Sequence, residues 1–249
     1  MNVLICNDDG IKCSGIIKLA EHFSKNNNVL VIAPEDNRSA QAHSLTIGKP
    51  IKIVKSNHIK GCESYSISGT PVDCVKIAHL MFKDFNADIV ISGINTAHNL
   101  GSDILYSGTV SAACEASFYN KISFALSAYD YDENNFELFS IFAEKIINYL
   151  LKFSKSGDIW NINFPNLKLG KIKGIKITPL GKHVYSDRYE KISNNEYVLV
   201  GELLDCKSNS LDCDVEWIKK GYITVTPILY NKTDYDKISK SFLDIETLF

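Results

Sequence analysis

Val3-Leu4-Ile5-Cys6 is a continuous apolar run that stops at Asn7-Asp8-Asp9-Gly10. A run without polar alternation suits a strand buried on both faces of a parallel sheet, which delivers two adjacent carboxylates to the strand's carboxyl end. In open α/β sheets that end is where ligands bind. Neighbouring carboxylates repel when both are ionised, and a raised pKa on one or a shared cation relieves the conflict. Oxygen donors favour a hard divalent ion, Mg²⁺ or Mn²⁺. Asn, Asp and Gly also suit any tight turn after a strand, so the tetrapeptide alone leaves turn and site equally open.

The chain continues as βαβ. Ser14 is expected to cap a helix running to about Lys25, with Ile16, Ile17, Leu19, Ala20 and Phe23 on its buried face, and Val29 to Ala33 is the next short strand. Pro34 ends that strand and opens a polar loop, Glu35 to Gln41. Between Ser44 and Ser68, alternation at Ile51, Ile53 and at Tyr65, Ile67 predicts a hairpin or edge extension. Thr70-Pro71 has the cap and first-turn chemistry of a helix start, and Asp88 to Ser92 reads as another buried strand. A long glycine-bearing loop, Gly93 to Ser107, follows, and loops of that length are usually functional.

Ser107-Gly108-Thr109 opens a further helix. Beyond it the pattern predicts a strand at Ile122–Ser127, a helix at Phe136–Phe153 and a strand at Ile159–Phe164. After Pro165 the alternation weakens: strands at Ile172–Thr178 and Ile223–Pro227, a projecting hairpin including Asn194–Val200, and a helix at Tyr235–Leu248. The expected architecture is α/β, a core over 1–181 with an extension over 182–249 that is not an independent domain.

Composition excludes several classes. The net charge is −2 with scattered lysines, so no field draws a nucleic acid polymer, and no apolar run is long enough to span a bilayer. The start goes straight into a strand without a basic segment, which reads as cytoplasmic. Seven cysteines without a CxxC, three of them in strand or helix interiors, read as reduced thiols. The six histidines lack the spacing of a zinc or haem site.

Three strands, ending at Cys6, Ala33 and Ser92, hand over to polar loops that belong on one edge. Asp8 and Asp9, the group Asn37-Arg38-Ser39, and the group Asn95 to Asn99 are therefore expected to share one crevice. Ser39 and Asn95 can add neutral oxygens to a cation, and Asn37 and Asn99 offer amides. The helix opening at Ser107-Gly108-Thr109 has exposed N–H groups and a positive dipole end suited to an anion, although a plain Ser cap has the same appearance. A divalent ion beside an anion cradle is the minimum equipment for metal-assisted attack on a phosphate ester.

These residues carry a resemblance. Asn7 to Gly10, Asn37 to Ala40, Gly69 to Cys74, Ser92 to Asn95 with Asn99 to Gly101, and Tyr106 to Val110 resemble, in order, the successive motifs of the SurE family, stationary-phase survival proteins with nucleotidase activity. Asp214 with Gly221 to Pro227 is similar to a later motif, so the resemblance covers nearly the whole chain. It implies a Rossmann-like three-layer α/β/α core with a mostly parallel sheet and a C-terminal hairpin and helix extension for oligomerisation, as a homodimer or homotetramer. It also implies a phosphomonoesterase acting on nucleoside monophosphates, a 5′-nucleotidase with 3′-nucleotidase and exopolyphosphatase activity as extensions. By that resemblance one divalent ion per subunit is held by Asp8, Asp9, Ser39 and Asn95, while Ser107, Gly108 and Thr109 hold phosphate and Asn37 and Asn99 contact substrate. The chain departs from the family pattern at Ala97 and Ala116, commonly Gly, and at Lys121-Ile122-Ser123, often Gly-x-Pro.

Two routes stay open: attack by water with Asp9 the favoured proton acceptor, or attack by a carboxylate to give an aspartyl-phosphate. His43 or His98 could protonate the leaving hydroxyl, and Tyr185, Tyr189 and Tyr197 could stack on a base. A signalling receiver would need a phosphorylatable Asp at the end of a later strand, where Ser92 stands. A non-catalytic nucleotide sensor on the same crevice is the alternative.

Overall fold

Alternation along the first strand explains the layers. In the computed structural model, which describes residues 1–129, 132–166, 171–204, 206 and 210–241, β1 (Asn2–Cys6) sends Val3 and Ile5 into one apolar core and Leu4 and Cys6 into another. Helix α1 (Ser14–Phe23) follows, then β2 (Asn28–Pro34), β3 (Ile53–Lys55) and β4 (Glu63–Ile67), α2 (Pro71–Met81) and β5 (Ile89–Asn95). A 3₁₀ turn at Gly101–Leu105 precedes α3 (Gly108–Phe118), β6 (Ile122–Ala128), α4 (Glu133–Leu150) and β7 (Ile159–Phe164). Helices α1 and α4 share the core of Val3 and Ile5 with Leu19, Phe23, Phe139 and Ile147, while α2 and α3 share the other with Val75, Ala112 and Ala116. Burying large aliphatic and aromatic side chains on both faces stabilises the sheet by roughly 1.5–3 kcal/mol for each fully buried one.

After β7 come β8 (Ile175–Ile177), β9 (Val184–Tyr185), β10 (Arg188–Ser193), β11 (Glu196–Val200), β12 (Leu203–Leu204), α5 (Asp214–Lys219), β13 (Ile223–Ile228) and α6 (Tyr235–Ser241). The sheet has nine strands in the order β3-β4-β2-β1-β5-β6-β7-β13-β8. From β4 to β7 every pair is parallel, while β13 runs antiparallel to β7 and β3 antiparallel to β4. The order reverses between β1 and β5. The hairpin β10–β11 and the pair β9–β12 form two further small sheets.

Several expectations shift. Cys13, extended at φ −75° and ψ 141°, takes the cap position of α1, so Ser14 is the first helical residue rather than the cap, and the helix ends at Phe23. The strand expected over Ile172–Thr178 shortens to β8, and the long helix lies one turn earlier than its apolar residues suggested. The loop expected from Gly93 narrows, because β5 runs on to Asn95 and the 3₁₀ turn occupies part of the rest. Residues 242–248 of the expected C-terminal helix lie outside the described residues. The helix start at Thr70 is as expected and more complete: its Oγ1 accepts from the Asp73 N–H at 3.1 Å, and Asp73 accepts from the Thr70 N–H at 2.8 Å.

Candidate active site

Parallel pairing of β1 with β2 and with β5 brings three carboxyl ends to one edge. Asp8 and Asp9 stand just past the end of β1, after Asn7, and are buried, 3% and 8% exposed. The loop after β2 closes on them: the Arg38 N–H donates to the Asp8 carbonyl at 2.6 Å, and Asn37 Nδ2 donates to Asp9 Oδ1 at 3.3 Å. Ser39 is tied into the same turn, its N–H donating to Asn37 Oδ1 at 2.9 Å. From the end of β5, Thr96 donates to Asp9 Oδ2 through its N–H at 3.0 Å and its hydroxyl at 3.2 Å. Asn95 is buried beside it, and its Nδ2 donates to the Ala97 carbonyl at 2.6 Å.

Helix α3 arrives from the other side. Thr109 donates through its hydroxyl to Asp8 Oδ1 at 2.5 Å and through its N–H to Asp8 Oδ2 at 3.3 Å. A Cβ on Gly108 would stand 2.9 Å from Asp8 Cβ and 3.0 Å from Pro71 Cγ, so only glycine lets the two helix starts meet at the acid. Gly15 does the same for α1, where a Cβ would fall 2.1 Å from the Ile94 carbonyl oxygen. Helix N-termini place partial positive charge beside the acids, the usual setting for an anion.

Burial pushes the Asp8 carboxyl up to about 6, against the hydrogen bond from Thr109, and the charge of Asp9 adds to the rise. Asp9 is also raised, mainly by burial, with Thr96 opposing. The donors to these carboxylates, Thr109, Asn37 and Thr96, are all neutral. Two buried acids served, among the described residues, by neutral donors are an arrangement a divalent ion would complete, and the oxygen-only set of Asp8, Asp9, Ser39 and Asn95 would suit a hard one. Among the described residues no group of three or more His, Cys, Asp or Glu is placed to hold a metal ion.

Other expected residues have different company. Ser107 is the cap of α3, its Oγ accepting from the Val110 N–H at 3.1 Å, and Thr109 serves Asp8 directly. Asn99 is tied to the sheet end: its Nδ2 donates to Ser127 Oγ at 2.7 Å and its N–H to Asn163 Oδ1 at 2.9 Å. Nε2 of His98 meets the Phe164 carbonyl at 2.7 Å, and burial lowers its pKa. Nε2 of His43 meets Glu115 Oε2 at 2.9 Å. Tyr185 donates to Asp103 Oδ2 at 2.8 Å, while Tyr189 and Tyr197 stand exposed on the hairpin. Sequence reasoning missed Thr96, although it directly follows Asn95.

A mostly parallel sheet with an acid pair just past its first strand, at the point where strand order reverses and beside a helix N-terminus, defines a Rossmann-like α/β protein. Within that class the chain belongs to the SurE family: the family model described as Survival protein SurE matches residues 3–187. A protein of Clostridium beijerinckii named 5′-nucleotidase SurE is 40% identical over 96% of this chain and 97% of its own. One of the same name from Caldanaerobacter subterraneus subsp. tengcongensis is 38% identical over 96% and 95%. The crystal structure of the SurE protein from Aquifex aeolicus superposes with a TM-score of 0.81 at 34% identity, covering 98% of this chain and 99% of that one.

Proposed function

We propose that this chain is a 5′-nucleotidase, a divalent-cation-dependent phosphomonoesterase converting nucleoside 5′-monophosphates to nucleoside and phosphate. The observation that carries the reading is the buried acid pair, bonded among the described residues by neutral donors, against the N-terminus of α3. The names of the relatives support the substrate class.

Asp8, Asp9, Ser39 and Asn95 would hold the ion, Mg²⁺ or Mn²⁺. Such an ion supplies charge to a phosphoryl oxygen and lowers the pKa of water. The Gly108 N–H at the start of α3 would receive the phosphate, and Thr109 keeps Asp8 in register with it. Asp9, the more exposed acid of the pair, takes the proton of the attacking water.

The test is phosphate release from a panel of 5′- and 3′-mononucleotides and polyphosphate with added Mn²⁺. Release from 5′-mononucleotides, lost in excess EDTA and restored by Mn²⁺, is expected. Undiminished turnover in EDTA would remove the cation from the reading. Nucleotide binding without release would make the protein a sensor.

Assembly belongs to the same reading. Tyr189, Ile192, Tyr197 and Leu199 are each more than half exposed on the hairpin β10–β11, and a two-stranded hairpin needs a surface to cover such groups. A second copy of the chain supplies it, giving a dimer or tetramer. Light scattering is expected to return a multiple of the 27.8 kDa chain mass. A single-chain mass at micromolar concentration would reject this assignment.

A further inference from the structure

We infer that His43 and Glu115 form a positioning pair that tethers the 35–52 connection so that Asn37 and Ser39 stay against the acid pair. The inference rests on the cation-dependent reading only where Mn²⁺ affinity is the readout.

The connection between β2 and β3 contains no helix or strand, yet it carries two residues proposed for the site. Just beyond Ser39, Ala40 and Ala42 take φ of 58° and 50°, a left-handed conformation that a residue with a Cβ rarely adopts unaided. Such a segment holds its shape only when fixed on both sides. On the near side, Arg38 and Asn37 are bonded to Asp8 and Asp9. On the far side, the Ala42 N–H donates to the Tyr106 carbonyl at 3.0 Å, and His43 meets Glu115 at 2.9 Å. Thr70 Oγ1 then donates to the Ser44 carbonyl at 2.8 Å.

Glu115 shows which of these contacts is built for the purpose. Its side chain is 5% exposed, and Lys76 Nζ already sits 2.7 Å from Oε1. One lysine suffices to balance one buried carboxylate. The other oxygen reaches outward to His43, whose side chain is 38% exposed and belongs to the loop. Glu115 lies on α3, the helix whose Thr109 holds Asp8. One rigid element therefore sets both the acid and the loop that must meet it, which is how an outer contact tunes a ligand set.

The full-length protein is tested as His43→Ala and His43→Gln, the second keeping an N–H donor near Glu115. In metal-free protein, trypsin cleavage after Arg38 is expected to accelerate about tenfold in His43→Ala, with Mn²⁺ affinity about tenfold weaker. His43→Gln is expected to return both to within about threefold of wild type. The exposed position of His43 leaves the fold intact, which circular dichroism checks. Unchanged cleavage in His43→Ala, or His43→Gln behaving as His43→Ala, overturns the tether. Faster cleavage with unchanged Mn²⁺ affinity overturns the positioning role. A wild-type protein that binds no Mn²⁺ counts against the cation reading alone, because the cleavage comparison still reports on the tether.

Discussion

Asp8→Asn is expected to lower phosphate release at least about a thousandfold while raising the melting temperature of the metal-free protein at pH 8 by about 5 °C. The two effects have one cause. Asn keeps an oxygen to accept from the Thr109 hydroxyl, but it is never charged. In the folded protein burial holds the Asp8 carboxyl at about 6, above its value in the unfolded chain. The stability that Asp8 contributes is therefore fully present below about pH 4, where both states are protonated, and is lost as pH rises through 6. The advantage of Asn should be absent at pH 4 and complete by pH 8. Paired melts in chelator at the two pH values, with phosphate release at pH 8, check this. A lower melting temperature at pH 8 would mean that the charge of Asp8 supports the fold.

Asp214→Ala is expected to destabilise the protein by about 3 kcal/mol or more, a fall of about 6–12 °C in melting temperature. Asp214 is fully buried and accepts three backbone N–H groups, from Gly101 at 2.8 Å, Gly181 at 2.7 Å and Val215 at 2.8 Å. Alanine leaves these donors without their acceptor, and it unfastens the 3₁₀ turn after Asn99 from the segment leading to β9. Asp214→Asn, which retains one acceptor oxygen, should lose less. A melt within about 2 °C of wild type would show that water replaces the carboxylate.

What could be read in the residues was what local chemistry decides. The apolar run of β1, the Thr70 and Asp73 capping box and the acids at a strand end each depend on neighbours a few positions away. What could not be read depends on distant partners. The bond from Thr109 to Asp8 could not be read, because Asp8 lies 101 positions earlier. Nothing near Asn99 in the sequence announces its bonds to Ser127 and Asn163. The placement of β13 between β7 and β8 follows from the tertiary path, since an apolar strand pattern carries no address. The left-handed Ala40 and Ala42 gave no signal either, because alanine has no preference for that conformation.

The two outer strands of the nine-stranded sheet bear on how copies of the chain avoid one another. β3 and β8 span only three residues each, Ile53–Lys55 and Ile175–Ile177, and each carries a lysine, Lys55 or Lys176. A short, charged border offers few free N–H and C=O groups for a neighbouring sheet to continue. Long buried strands such as β2 and β5 lie well inside that border. Fibril-like growth by sheet extension is thereby disfavoured in the folded state. Lengthening β8 while replacing Lys176 with Val should therefore favour aggregation before it alters the crevice at the far side of β7.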